Sequence, residues 1–247
     1  MAAIDLNSDL GEGAGADRQV MPFITSANIA CGAHAGDERS MRETIKLTIA
    51  HHVSAGAHPG YRDPASFGRV ALAIPRDELT ADLVLQIGTL RAIARSEGTD
   101  LVHVKAHGAL YNTAQHDDGV AASIAGAVRR AAPDLVLFVF PASAAERAAR
   151  GAGLRVAREG FIDRAYEADG TLRSRSEPDA LITDPAAAVA QALSFVREGG
   201  VWARDGAFLE LPVDTLCVHG DTPGAPAILR AVRAALVSAG VAVRRTA

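Results

Sequence analysis

A regular alternation of short apolar runs and amphipathic segments extends along the 247 residues and constrains the fold more than any other feature. Seven runs are predicted to be strands, and they lie at 4–10, 26–31, 53–61, 101–107, 135–140, 154–159 and 215–219. The segments between them carry apolar residues three or four positions apart, and one such stripe predicts a long helix over 77–97. No linker or shift in composition interrupts the pattern, so we predict a single α/β domain over residues 1–247 with a parallel sheet.

Polar side chains stand at the carboxyl ends of the predicted strands. They are Asp9, His34, His58, His107, Glu159 and His219. Strand-helix barrels build their active sites at this end, and they have a typical length of about 250 residues. The glycine fingerprint of an open dinucleotide-binding sheet is absent from the sequence. We therefore predict a distorted (β/α) barrel with about seven parallel strands.

The stretch LVHVKAHGALYN, over 101–112, contains an unusual lysine. Because strand side chains alternate between two faces, His103, Lys105 and His107 are expected on one face. Lys105 is one of only two lysines in the chain, and an unpaired ammonium is costly to bury. We interpret it as an active-site group. The structural alternative is a lysine that reaches solvent at the strand end beside two hydrogen-bonded histidines.

Composition excludes several classes of protein. The net charge is −4 and no basic block occurs, which argues against nucleic-acid binding. The two isolated cysteines, Cys31 and Cys217, suggest neither a disulfide framework nor a zinc site, and we expect them to be buried and inert. A reducing, cytoplasmic location fits this usage best. We expect no signal peptide and no membrane span, since no apolar run reaches about 18 residues.

The polar set allows proton transfer, and a divalent metal stays an open alternative. Histidine is the usual proton carrier near neutral pH. Asp9, His34 and His58 form the natural trio for a zinc-like ion, although their wide spacing is not a compact ligand motif. Neither a nucleophilic-serine elbow nor a phosphate-binding loop is present. If ATP is used, its site is therefore unconventional or on another chain.

Three further segments carry predictions. Asp37 precedes a helical pattern, so it either caps that helix or contacts a substrate. The irregular segment 160–176 is rich in arginine and acidic residues and is predicted to be functional. Asp205-Gly206 predicts the two-residue turn of a hairpin over 201–212.

Long blocks of the sequence resemble a known family. The blocks are DLNSDLGEG (5–13), SANIACGAHAGD (26–37), GAHPGYRD and FGR (56–63 and 67–69), HVKAHGALYN (103–112), DR-Y and DGTLR (163–173) and CVHGDTP (217–223). They resemble the LamB/YcsF family over nearly the whole chain. The resemblance implies a barrel of the glycoside hydrolase/deacetylase type. It also implies a role in bacterial 5-oxoprolinase, which opens the lactam of 5-oxoproline to L-glutamate with ATP.

The resemblance further implies partners and a set of site residues. The expected partners are the separately encoded subunits B and C, with which the ATP-driven step is associated. The catalytic candidates are Asp9, His34, His58, Lys105, His107 and His219. The substrate-binding candidates are Glu12, Asn28, Asp37, Glu159, Arg164 and Asp221.

Their roles are hypotheses. Lys105 or Arg164 would hold the substrate carboxylate or an acyl phosphate, and Asn28 would orient the substrate. One of His34, His107 and His219 would act as base or acid. Two rival functions are a metal-dependent, deacetylase-like hydrolase that acts alone and a non-catalytic protein that binds the lactam for its partners.

Overall fold

The computed structural model describes residues 2–246. Across this range the strands, in chain order, are β1 (Ala3–Leu10), β2 (Ser26–Ala30), β3 (Ser54–His58), β4 (His103–Lys105), β5 (Val136–Val139), β6 (Arg155–Phe161), β7 (Gly200–Trp202), β8 (Phe208–Glu210), β9 (Thr215–Cys217) and β10 (Ala242–Val243). Strands β1 to β6 pair in sequence, all parallel, and β9 pairs with both β6 and β1. These seven strands close a barrel, which confirms the predicted fold class.

Helices separate the barrel strands. Among the described residues they are α1 (Asp17–Val20), α2 (Glu38–His51), α3 (Arg76–Ser96), α4 (Gly108–Thr113), α5 (Asp118–Ala131), α6 (Ala144–Gly151), α7 (Pro185–Glu198) and α8 (Ala225–Ser238). Side-chain caps begin several of them, with Asp37 at α2, Asp117 at α5 and Asp184 at α7. Within residues 2–246, no helix is both long and apolar enough to cross a bilayer.

Strand β1 shows why the barrel has a polar interior and an apolar exterior. Ile4 and Leu6 are buried in the apolar core cluster, which also contains the inward faces of the helices. Asp5 and Asn7, on the opposite face, are also fully buried, and both are hydrogen-bonded to residues of neighbouring strands. The side chains of Thr25, Ser26 and Thr215 donate to Asp5. The alternation in β1 therefore divides polar contacts inside the barrel from apolar packing outside it.

Strand β4 is shorter than its sequence pattern predicts. The predicted run 101–107 remains extended, but only His103–Lys105 belongs to the ladder. The amide of His107 instead donates to the carbonyl of Pro59 at 2.8 Å. The contact between β3 and β4 is very close, because a Cβ on Gly56 would overlap the imidazole of His103. The strand therefore has room only for a glycine at position 56.

The remaining strands differ in detail from the predictions. β6 ends at Phe161, two residues later than predicted. β7 and β8 form the predicted hairpin, but its loop has three residues, 204–206, because the Ala203 amide donates to the Ala207 carbonyl at 2.8 Å. The prediction of a two-residue turn was therefore wrong. β10 pairs with the start of β1, outside the closed barrel.

Candidate active site

A cavity of about 220 Å³ opens at the carboxyl end of the barrel strands. Eight of the twelve candidate residues line it: Asp9, Glu12, His58, Lys105, His107, Arg164, His219 and Asp221. Three more lie directly behind this wall, and these are Asn28, His34 and Glu159. The parallel register brings them together, because neighbouring strands end at the same rim.

Lys105 is the buried centre of the pocket floor. Its ammonium lies 2.8 Å from Asp9 Oδ1 and 2.9 Å from Glu159 Oε1. It also lies 3.1 Å from Cys217 Sγ. Burial alone would lower the pKa of Lys105, but the charges of Asp9 and Glu159 outweigh burial and hold that pKa well above its usual value. The lysine is therefore a charged, paired group inside the barrel, and it does not reach solvent.

This pairing bears on the role expected for Lys105. An ammonium has three donor hydrogens, and here two carboxylates and a thiol surround them. No donor is left that points toward a substrate anion without breaking one of these contacts. The thiol of Cys217 is fully buried, and burial raises its pKa well above the usual range, so it stays protonated beside the lysine.

Asp9 presents one oxygen to the protein and the other to the pocket side. Oδ1 accepts hydrogen bonds from Lys105 and, at 2.7 Å, from Asn28 Nδ2. Oδ2 lies 3.4 Å from His58 Nε2. Burial opposes ionisation of Asp9, yet the charges of His58 and Lys105 hold its pKa well below its usual range. Asn28 does not line the cavity, and its side chain supports Asp9 from behind.

His219 forms a dyad with a carboxylate that sequence reasoning missed. Its Nδ1 lies 2.9 Å from Oδ2 of Asp163, which is completely buried. Asp163 also accepts from the Thr222 hydroxyl at 2.6 Å and from the His219 amide at 2.9 Å. Burial opposes ionisation of Asp163, but His219 and Thr222 outweigh it and lower its pKa to about 2. The carboxylate fixes Nδ1 as the donor, which leaves Nε2 as a lone pair on the pocket side.

The signal for Asp163 was present but weak. It is the first residue of the DR-Y block, inside a segment already predicted to be functional.

Among the described residues, His219 Nε2 has no hydrogen-bond partner, whereas the other candidate histidines are more enclosed.

A second group combines Glu12 with His34, His58 and His107. One ring nitrogen from each histidine and one Glu12 oxygen lie within 4.8 Å of one another, a set that can hold a metal ion. The expected trio of Asp9, His34 and His58 is not the group observed, since Asp9 instead clusters with Cys217 and His219. Burial lowers the pKa of His34 to about 4 and also lowers that of His107, in both cases against the influence of Glu12.

Arginines form the outer wall of the pocket. Asp221 is paired with Arg69 and, at 3.1 Å, with Arg175 Nη1. Arg164 is buried, and burial followed by repulsion from Arg175 lowers its pKa to about 10. Within residues 2–246, its buried Nε has no hydrogen-bond partner. Arg69 and Arg175 were not among the candidates, although both lie in segments that the sequence singled out.

Asp37 is the one candidate that lies away from the pocket. It is exposed at the start of α2, where its carboxylate accepts from the Ser40 amide at 2.8 Å. The Ser40 hydroxyl accepts from the Asp37 amide in return, which completes a capping box. Of the two alternatives for this residue, the structure shows the helix cap.

Comparisons with known proteins agree with this geometry. The LamB/YcsF family model matches residues 4–247. A protein of Symbiobacterium thermophilum, named as the A subunit of 5-oxoprolinase, is 51% identical over 249 residues, which cover 97% of this chain and 94% of that protein. The crystal structure of a lactam utilization protein from Thermus thermophilus is similar with a TM-score of 0.92 and 46% identity, covering 99% of this chain and 100% of that chain.

A more distant likeness concerns the fold alone. The T48 deacetylase structure matches with a TM-score of 0.51 at 12% identity, over 98% of this chain and 87% of that chain. It agrees with the expected deacetylase type of barrel. The family match and the high identity over nearly the full length establish that this chain belongs to the LamB/YcsF family.

Proposed function

We propose that this chain carries the hydrolytic site of an ATP-dependent 5-oxoprolinase and opens the lactam of 5-oxoproline to L-glutamate. Family membership and the relatives named as components of 5-oxoprolinase support the substrate. The observation that carries the proposal is the Asp163–His219 dyad, whose unpartnered Nε2 shares one small pocket with the buried Arg164.

The two ends of 5-oxoproline are assigned to two parts of the pocket. That molecule has a carboxylate and a ring amide. Arg164 is the candidate for the carboxylate, because its Nε donor is buried without a partner among the described residues and burial makes a charge-assisted bond stronger. Asp9 Oδ2 is the candidate acceptor for the lactam N–H. Lys105 then acts as a positioning residue that keeps Asp9 ionised and in place.

Opening of the ring requires one water and one proton shuttle. His219 Nε2 takes a proton from water as the water oxygen bonds to the lactam carbonyl carbon. The carbon–nitrogen bond of the ring then breaks, and the proton passes from Nε2 to the departing nitrogen. Asp163 holds the ring in the required tautomer and stabilises the imidazolium between these steps.

ATP is assigned to the assembled enzyme. The sequence contains no phosphate-binding loop, so we infer that partner subunits B and C bind the nucleotide. Transfer of the γ-phosphoryl group of ATP to the lactam oxygen would release ADP and make the ring carbon more electrophilic. Ring opening by water then leaves an acyl phosphate, and a second water cleaves it to L-glutamate and inorganic phosphate, so that ATP hydrolysis supplies the driving force. The relatives are named as one lettered subunit of a larger enzyme, which supports such a division of labour.

The test compares turnover and binding in one preparation. His219→Gln should lower kcat for ATP-dependent glutamate release by about 10²–10⁴-fold with the partner subunits present. Binding of 5-oxoproline should persist. The matched control is His51→Gln, an exposed histidine on α2, which should leave kcat unchanged.

Two outcomes would count against the proposal. Full turnover in His219→Gln would mean that the dyad is not catalytic and would favour a protein that only binds the lactam. Glutamate release without ATP and partners would favour a hydrolase that acts alone.

A further inference from the structure

The group formed by Glu12, His34, His58 and His107 has no task in the proposed lactam reaction. Glu12 Oε1 lies 3.2 Å from His34 Nε2, 3.1 Å from His107 Nδ1 and 3.6 Å from His58 Nε2. All four side chains are nearly inaccessible to solvent, with side-chain exposures between 0% and 6%. Burying four polar side chains this close together is costly unless their polar atoms are satisfied by one another or by a ligand.

Backbone carbonyls determine which nitrogens carry hydrogen. His58 Nδ1 lies 2.8 Å from the Lys105 carbonyl, and His107 Nε2 lies 2.9 Å from the Phe67 carbonyl. A carbonyl oxygen only accepts, so these outer nitrogens are the donors. In the neutral rings, the inner nitrogens of His58 and His107 therefore carry lone pairs.

When His58 carries no second proton, these two lone pairs face each other. His107 Nδ1 lies 3.0 Å from His58 Nε2, and the Glu12 carboxylate lies beside both. Acceptors at this separation with no hydrogen between them repel each other. A cation placed among them converts the repulsion into attraction.

Neighbouring glycines hold the rings in this arrangement. A Cβ on Gly60 would lie 2.8 Å from His34 Nδ1, and one on Gly68 would lie 2.9 Å from His34 Cβ. His34 also stacks in parallel on His107, with ring centroids 3.7 Å apart. A metal ion lies in the plane of the imidazole that binds it, so two parallel rings at this spacing cannot both bind one ion, and His34 instead supports Glu12 at 3.2 Å. The main chain thus closes around the imidazoles, and they cannot turn away from one another without a large rearrangement.

We propose that Glu12, His58 and His107 bind one divalent transition metal ion, of the zinc-like class that prefers imidazole ligands. A four-coordinate ion with ligand distances of about 2.0–2.1 Å holds its ligand atoms about 3.3 Å apart. The separations of 3.0–3.6 Å among these three residues match this requirement. Two nitrogens and one carboxylate oxygen favour zinc or a similar ion over magnesium or calcium.

Access and second contacts also suit a metal. Glu12, His58 and His107 line the cavity, so an ion can reach the site from the pocket. The carbonyls of Lys105 and Phe67 orient two of the ligands, as outer contacts do in metalloproteins. The proposal does not depend on the lactam reaction, and its test uses no turnover measurement.

The experiment measures metal directly on the intact chain. Metal-free protein is titrated with Zn²⁺, bound metal is counted by mass spectrometry, and Co²⁺ is used as a visible probe of four-coordination. We expect one ion per chain. Glu12→Gln and His58→Gln should each weaken Zn²⁺ binding at least about 100-fold, whereas the exposed His51→Gln should not change it.

A second measurement needs no substitution. In the unmodified chain, Zn²⁺ should raise the melting temperature and shift the ¹⁵N resonances of His58 Nε2 and His107 Nδ1. The rival occupant is a proton on His58, paired with Asp9 Oδ2 at 3.4 Å. Failure of the unmodified chain to take up Zn²⁺, or uptake by the Glu12→Gln, His58→Gln double variant with unchanged affinity, would overturn the proposal.

Discussion

Two sides of the pocket use histidine in opposite ways. On the side of β3 and β4, neutral carbonyls hold the outer nitrogens of His58 and His107, and the lone pairs converge inward. On the side of β6 and β9, the Asp163 carboxylate holds Nδ1 of His219. Among the described residues, Nε2 of His219 has no hydrogen-bond partner. A carbonyl fixes a tautomer with little added charge, whereas a carboxylate also stabilises the imidazolium. The arrangement of His58 and His107 suits a bound cation, and that of His219 suits proton transfer.

Lys105 joins the two sides, and its removal should have the largest effect. Lys105→Met leaves Asp9 and Glu159 as buried charges without their cation, which should lower the free energy of unfolding by about 3–5 kcal/mol. Lys46, the other lysine, is the matched control because its pair with Glu97 is on the surface. Lys46→Met should cost less than about 1 kcal/mol. Urea unfolding measures the free energy of unfolding of both variants. An equal decrease in the two variants would show that the buried ion pairs of Lys105 contribute no more to stability than a surface pair does.

The dyad can be broken without removing the histidine. Asp163→Asn keeps the shape but can offer its amide hydrogens to His219, which favours the wrong tautomer. We expect kcat for glutamate release to fall about 10²–10³-fold, with Zn²⁺ affinity unchanged. A parallel loss of Zn²⁺ binding would erase the distinction between the two sides.

The same carboxylate predicts a stability profile. Asp163 has a pKa of about 2 in the folded chain, below its ordinary value of 3.8. A depressed carboxyl pKa stabilises the fold above the unfolded pKa, and this contribution is lost as the pH falls through the folded value. Between about pH 5 and pH 2, the native chain should therefore lose about 2 kcal/mol more than Asp163→Asn. Parallel unfolding curves for the two proteins would contradict this.

Arg164 tests the outer wall. Arg164→Gln should raise KM for 5-oxoproline about tenfold, with a smaller change in kcat, because one charged hydrogen bond to the substrate is lost. Arg230→Gln, at an exposed position on α8, is the control. An effect on kcat alone would move Arg164 from substrate binding to the reacting end.

The smallest effect is expected away from both sides. Asp37→Ala removes the α2 cap and should cost about 1 kcal/mol of stability. Turnover and KM should not change, because Asp37 is exposed and does not line the cavity. A raised KM in this variant would restore the substrate-contact alternative.

Much of this architecture was predictable because strands obey a simple period. The alternation in 4–10 separates Ile4 and Leu6 from Asp5 and Asn7, and the fold follows that division. The strand-end residues were predictable for the same reason, since parallel strands end at one rim. Lys105 could be selected because an isolated lysine on such a face has few structural explanations.

The pairings inside the pocket were not predictable in the same way. Glu12 lies in a glycine-flanked turn, whose path decides whether it reaches His34 or solvent. Asp163 is one acid among several in an irregular segment, and only the fold brings it to His219. The choice between a cap and a substrate contact for Asp37 likewise depended on where the strand mouth lies. The alternation of apolar and polar residues along a strand carries no information on the distances between side chains that lie on different loops.

The two arginine pairs of Asp221 have a consequence for how ligands arrive. Arg69 follows β3 and Arg175 follows β6, so a single acid on the loop after β9 ties together segments from three parts of the ring. An incoming anion must compete with Asp221 for the same guanidinium groups. Binding of an anionic substrate would then weaken the ion pairs of Asp221 at the pocket entrance. Added salt would screen these ion pairs and ease entry, but it would also weaken the attraction between the arginines and the substrate.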